Sequence, residues 1–245
     1  MSSLLRSWVM RMRWRDLLFA HWPVEVERLR LLIPPALDVD TYDGVAYVGI
    51  VPFRMEDTAP RGLPAIPWLS SFPEVNVRTY VRYGDLDAVW FMSLDAGRRL
   101  AVDGARRGFH LPYFHASMAI ERDGDWVRFR SQRRDRRWGR GRPGSIVVRY
   151  RPTGPARPAE PQSLDAWLTA RYRLIAVDGR GRLSTTRIAH DPWLLRPAEA
   201  TFELETLSAA QGVALSGPPA HLAFADRLDV RAWWPRRLPT TGERD

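Results

Sequence analysis

Apolar and polar residues alternate with a period of two along much of the chain, and three stretches repeat at helical spacing instead. Pro23 to Ile33 opens on proline, places Val26, Leu29, Leu32 and Ile33 on one face, and stops at Pro34-Pro35, which predicts a helix. Gly97 to Gly108 predicts a short helix through Leu100, Ala101 and Ala105. Ser163 reads as the N-cap of a third, carrying Leu164, Trp167, Leu168 and Tyr172. Strands account for most of the rest. Asp43-Gly44 turns into VAYVGIVPF, Glu74 to Tyr83 alternates strictly, and Ala88 to Leu94 is an apolar run. Tyr113 to Glu121 meets Trp126 to Ser131 across a glycine turn, and Leu174 to Val177 meets Arg182 to Ile188 in the same way. Ala200 to Leu207 fits helix or strand, and Leu222 to Trp234 closes the chain as a strand.

Short strands at regular spacing with few helices predict a mainly β (α+β) domain built on a large antiparallel sheet, curled or closed. The proline-rich PTGPARPAEPQ stretch (152–162) reads as a connector, since neither side is a self-sufficient set of elements. One domain over residues 1–245 is therefore expected.

Residues 74–81 are the most informative. Val75, Val77, Thr79 and Val81 point to one face, and Glu74, Asn76, Arg78 and Tyr80 to the other. That second face is either a wet outer surface or, in a curled sheet, the wall of an interior cavity. In the second case an acid, an amide, a guanidinium and a phenol form a ladder able to hold a small ligand.

Composition removes several kinds of chemistry. Cysteine is absent, which excludes disulfides, thiolate metal sites and thiol nucleophiles. All 37 basic side chains are arginine. Arginine stays protonated and offers no amine nucleophile, so Schiff-base chemistry has no side chain to run on. The net charge of +9 is concentrated in residues 128–142, where eight arginines stand against one aspartate. Arg-Gly residues 133–142, with Trp138 among them, read as a solvated basic loop; an acidic partner or nucleic acid is the alternative, and nucleic acid is not favoured. Thr206 to Ala225 is the longest stretch without formal charge, and its glycines, prolines and His221 argue against a bilayer span. A cytoplasmic protein with no membrane association is the expectation, and a homo-oligomer is possible.

Among the histidines, His110 and His115 fall on opposite faces of an extended segment, so no shared metal is expected. His115 shares its face with Ser117 and Glu121 and is a candidate acid–base group; His21 and His190 read as turn or cap residues. G-x-S-x-G, H-E-x-x-H, G-x-G-x-x-G and Walker sequences are missing, and no cofactor is expected.

The blocks LLFAHWPVEVERLRLLIPPALDVDTYDGVAYVGIVPFRM, FPEVNVRTYV, VWFMSLDA, GFHLPYFHASM, SLDAWLTARYRL and HDPW, in that order, resemble the YqjF-like proteins. These are a bacterial family of unknown function grouped with the acetoacetate decarboxylase-like superfamily. The resemblance spans about residues 9–235 and implies a meandering antiparallel sheet curled on itself into a cone or barrel around a central pocket, with a few peripheral helices. The decarboxylases set an arginine, a glutamate and a Schiff-base lysine in that cavity. The resemblance implies the arginine near Arg15 and the acid near Glu74, while the lysine pair falls at about Leu111-Pro112. Neither residue can form an imine, so lysine-dependent decarboxylation is expected to be absent. What remains is a pocket for a small, anionic organic ligand, with Arg15, Asn76, Arg78, Tyr80 and Tyr113 as binding residues and Trp90 and Phe91 as further aromatic lining. Glu74 and His115 are the catalytic candidates if the chain turns over a small carbonyl or carboxylate substrate.

Overall fold

The computed structural model describes residues 7–135 and 142–239. Positions 136–141, including Trp138 of the basic loop, lie outside the described residues. The first third of the chain holds β1 (Met10–Val24), α1 (Val26–Arg30), β2 (Asp38–Val39), β3 (Ala46–Pro60), α2 (Pro67–Ser70) and β4 (Phe72–Tyr83). The middle holds β5 (Leu86–Ala96), α3 (Arg99–Phe109), β6 (Tyr113–Asp123), β7 (Trp126–Arg133), β8 (Ser145–Pro152) and β9 (Arg157–Pro158). There follow α4 (Leu164–Thr169), β10 (Arg173–Val177), β11 (Leu183–Ala189), β12 (Leu194–Glu205), α5 (Leu207–Ala210), β13 (His221–Ala232) and β14 (Arg236–Arg237).

The predicted hairpins and the three helices are present, with α1 shorter than its apolar face suggested. The ambiguous 200–207 stretch is strand to Glu205, and α5 begins at Leu207. The proline-rich connector contributes β9, which pairs with the start of β12. The sheet is mostly antiparallel, with two exceptions. β5 pairs in parallel with β6, because α3 carries the chain back along the sheet before β6 begins, and also in parallel with β10.

Strand pairing closes two rings. The larger runs β5-β6-β7-β8-β12-β13-β1-β3-β4 and back to β5; the smaller runs β5-β10-β11-β13-β1-β3-β4. Strands β13, β1, β3, β4 and β5 form a wall common to both. Each face of that wall is covered. On one side Leu18, Ala20, Val48, Ile50, Val75 and Val77 pack with Phe129, Val148 and Tyr150 of the larger ring. On the other, Leu17, Phe19, Val51, Phe53 and Met55 pack with Trp193, Leu195 and Val102.

A bulge in β1 decides which side chains meet. Asp16 adopts a left-handed backbone (φ 53°), and the β1–β3 register shifts by one residue between Arg15 and Ala20. Trp14 and Leu17 consequently join the same apolar cluster although their spacing is odd. The Asp16 carboxylate meets Arg122 at 2.7 Å, and its carbonyl accepts from the Tyr150 hydroxyl at 2.7 Å.

Candidate functional site

The polar side of β4 points inward. Glu74, Asn76 and Tyr80 are buried and Arg78 is half-buried, on the face shared with Val51, Phe53 and Phe19. Glu74 is 2% exposed, and its Oε2 accepts a hydrogen bond of 3.1 Å from the Tyr113 hydroxyl. Register explains the meeting: Tyr113 pairs with Leu94, which pairs with Asn76, so all three lie on one face. Burial pushes the Glu74 carboxyl up to about 8; the Tyr113 bond pulls it partly back and the nearby Asp95 carboxylate adds to the rise. The Tyr113 phenol is pushed well above its ordinary value by burial and by Glu74. At neutral pH the pair is thus a protonated acid held by a protonated phenol.

Farther along β4, the C-terminal end of α4 docks on the ladder. Helix-end carbonyls need partners, and the Leu168 carbonyl accepts from the Tyr80 hydroxyl at 2.8 Å and from Arg78 Nη2 at 3.2 Å. Trp193 donates to the neighbouring Thr169 carbonyl at 2.8 Å. The Arg78 guanidinium lies over the rings of Phe19 and Tyr80, at 5.3 and 5.6 Å. Among the described residues it has no carboxylate partner, and its Nε and the Asn76 Oδ1 are buried without a hydrogen bond.

The remaining candidates are distributed differently. Arg15 does not join the ladder: it precedes the bulge, pairs with Arg54, points to the opposite side of the sheet from Glu74, and meets Glu56 at 3.7 Å. An Arg15–Glu74 pairing is excluded by that geometry. His115 shares the ladder face. It pairs with Ala96, which pairs with Glu74, two strand spacings or about 10 Å away. Phe91 pairs with Arg78 on the ladder side, whereas Trp90 pairs with Thr79 on the valine side. Pro112, where the decarboxylase lysine pair would fall, lines a separate cleft of about 440 Å³ together with Phe91, His110 and Gln211.

Two clusters escaped the sequence reading. His21 is no turn residue; it sits inside β1, fully buried, with Nε2 at 2.8 Å from the Tyr80 hydroxyl and Nδ1 at 3.0 Å from His221 Nδ1. The two-residue spacing from Leu17 through Phe19 to His21 was the available signal, because it extends an inward-facing series. The second cluster takes Arg133 out of the solvated-loop reading, most of which (136–141) lies outside the described residues. Arg133 is buried and makes a two-pronged bond with Asp95, its closest contact 2.6 Å, while its guanidinium lies 4.0 Å from the Phe114 ring centre. Arg128 and Arg130 pair with Glu203 and Glu121. Three of the eight arginines of 128–142 are therefore paired within the sheet.

Residues 11–229 match the DUF2071 family, described as an uncharacterized conserved protein. The chain is 44% identical over 230 residues to "Uncharacterized protein YqjF" of Bacillus subtilis (strain 168), covering 94% of this chain and 92% of that one. The chain belongs to the YqjF-like DUF2071 family. Its fold is that of the acetoacetate decarboxylase-like proteins. The acetoacetate decarboxylase of Legionella pneumophila superposes with a TM-score of 0.66 at 12% identity, over 94% of this chain and 87% of that one. The enduracididine biosynthesis enzyme MppR, complexed with pyruvate, superposes with a TM-score of 0.63 at 13% identity, over 97% and 93%. At such identities the likeness establishes the architecture of this DUF2071 member alone.

Proposed function

We propose that this DUF2071 protein binds a small organic anion on the inward face of β4, between Glu74 and Arg78. One observation carries the reading: Asn76 Oδ1 and Arg78 Nε are buried with their hydrogen-bonding capacity unmet, beside a carboxyl that keeps its proton. An unmet buried polar group costs about 1–3 kcal/mol, which a bound polar molecule recovers. Arg78 is the cation for a carboxylate, and the protonated Glu74 donates to a carbonyl or hydroxyl at the other end. The two positions are separated by four residues of strand, about 13 Å. MppR in complex with pyruvate, on the same fold, supports the choice of an oxo acid as the first probe.

A second reading, turnover of a small carbonyl or carboxylate substrate, is favoured by the Glu74 carboxyl at about 8, which suits proton transfer near neutrality. Any such reaction runs without an imine, since the chain has no lysine. Thermal-shift and native mass measurements with pyruvate and acetoacetate test both. Binding is expected in the wild type and at least about tenfold weaker in Arg78→Gln, a single charge-assisted bond's worth. Equal binding by wild type and Arg78→Gln removes this site from consideration. If there is turnover, Glu74→Gln abolishes it while leaving binding largely intact.

A further inference from the structure

Asp165, His221, His21 and Tyr80 form one unbroken hydrogen-bonded file. Asp165 Oδ1 lies 2.8 Å from His221 Nε2, the two Nδ1 atoms lie 3.0 Å apart, and His21 Nε2 lies 2.8 Å from the Tyr80 hydroxyl. His21 and Tyr80 are fully buried, whereas the Asp165 side chain is 48% exposed. The file thus runs from solvent to the ladder face beside Arg78. We propose that it is a proton relay, through which a proton released inside the smaller ring at Tyr80 reaches the surface at Asp165.

Counting donors and acceptors gives two complete arrangements. In the first, both rings are neutral: Tyr80 donates to His21 Nε2, His21 Nδ1–H donates to His221 Nδ1, and His221 Nε2–H donates to the Asp165 carboxylate. The Leu168 carbonyl is then kept by Arg78 Nη2. In the second, one proton has been added. His221 carries both of its protons, His21 holds its single proton on Nε2 and donates to Tyr80, and Tyr80 donates to Leu168 at 2.8 Å. No atom needs to travel farther than one hydrogen bond between them.

The transfer balances. An acidic X–H bond of a molecule beside Arg78 breaks as a new Tyr80 O–H bond forms. The original Tyr80 proton passes to His21 Nε2, and the His21 Nδ1 proton passes to His221. The anion X⁻ is left next to the Arg78 guanidinium, and the imidazolium of His221 faces the Asp165 carboxylate. All charged neighbours agree with this direction. Arg78 lies over the Tyr80 ring at 5.6 Å and disfavours a cation on His21, while Arg171, over the same ring at 5.0 Å, is held by Asp40 at 2.7 Å. Burial, His221 and Arg78 hold the His21 imidazole well below its ordinary value, and the His221 bond lowers the Asp165 carboxyl. Room for the file comes from Gly49, where a Cβ would lie 2.7 Å from the His21 ring.

The identity of X–H rests on the ligand reading above, but the relay has a signature in the free protein. Histidine ring nitrogens are followed by ¹⁵N nuclear magnetic resonance in the full chain as the pH is lowered from 9 to 5. The expected result is one coupled step, in which His21 stays neutral and moves its proton from Nδ1 to Nε2 as the added proton is taken up at the His221 end of the file. Asp165→Asn, at a half-exposed position, moves that step to lower pH for both rings together. A His21 that keeps one tautomer throughout, that becomes charged itself, or that fails to follow His221 in Asp165→Asn overturns the relay. Because no ligand is added, failure of pyruvate or acetoacetate to bind leaves this result standing, and the reverse also holds.

Discussion

Glu74 ties the stability of the chain to pH in a direction opposite to most carboxylates. Its folded value, about 8, lies above the ordinary carboxylate range, so the native state keeps a proton that the unfolded chain releases. This contribution is fully present below about pH 4.5 and is lost as pH rises through 8, a loss of roughly 4–5 kcal/mol at about 1.4 kcal/mol per unit. Glu74→Gln removes the slope; urea unfolding is expected to find the variant more stable than wild type at pH 9 and closer to it at pH 5. His21 acts with the opposite sign. Its lowered folded value means the unfolded chain takes up a proton first, so stability falls as pH drops below about 6.5. Denaturation midpoints should therefore be highest between about pH 4.5 and 6.5, where the two slopes oppose each other, and a His21→Gln variant should have a shallower acid limb with the alkaline one unchanged. At Arg133, replacement by methionine strands the Asp95 carboxylate in the interior, with an expected cost of about 3–5 kcal/mol. Arg133→Met with Asp95→Leu together should recover most of that, as judged by the same unfolding curves.

Elements were legible where a single local rule governs them. Ser163 accepts from the Ala166 amide at 3.2 Å, as its N-cap reading requires, and the glycine-turn hairpins of β6–β7 and β10–β11 follow their turn chemistry. The two-faced reading of β4 also holds, because strict alternation leaves one way to lay such a strand on a core. What local pattern could not supply was the parity switch at Asp16. No composition rule marks an aspartate inside LLFAHW's approach as left-handed, and the bulge alone sends Arg15 to the far side of the sheet from Glu74. His21 was misread for the same reason: its partners stand 59 and 200 residues away, and nothing nearby announces them. Strain at the bulge is testable. Asp16→Ala keeps the left-handed backbone without the side chain that meets Arg122 and is expected to cost about 1–3 kcal/mol, whereas Asp16→Gly should cost less. Thermal unfolding of the two variants separates backbone strain from the ion pair.

For the molecule as a whole, a wall used twice has a mechanical meaning. Strands β13, β1, β3, β4 and β5 each serve both enclosures, so neither half of the sequence holds a self-contained core, and opening one compartment strips the backing from the other. Deuterium uptake should reflect that sharing. Amides in the middle of β1 and β3 are expected to be the last to exchange, at the free energy of global unfolding, while β9 and β14 exchange by local opening. A graft or truncation that keeps only one compartment is therefore expected to yield an insoluble fragment rather than a smaller working protein.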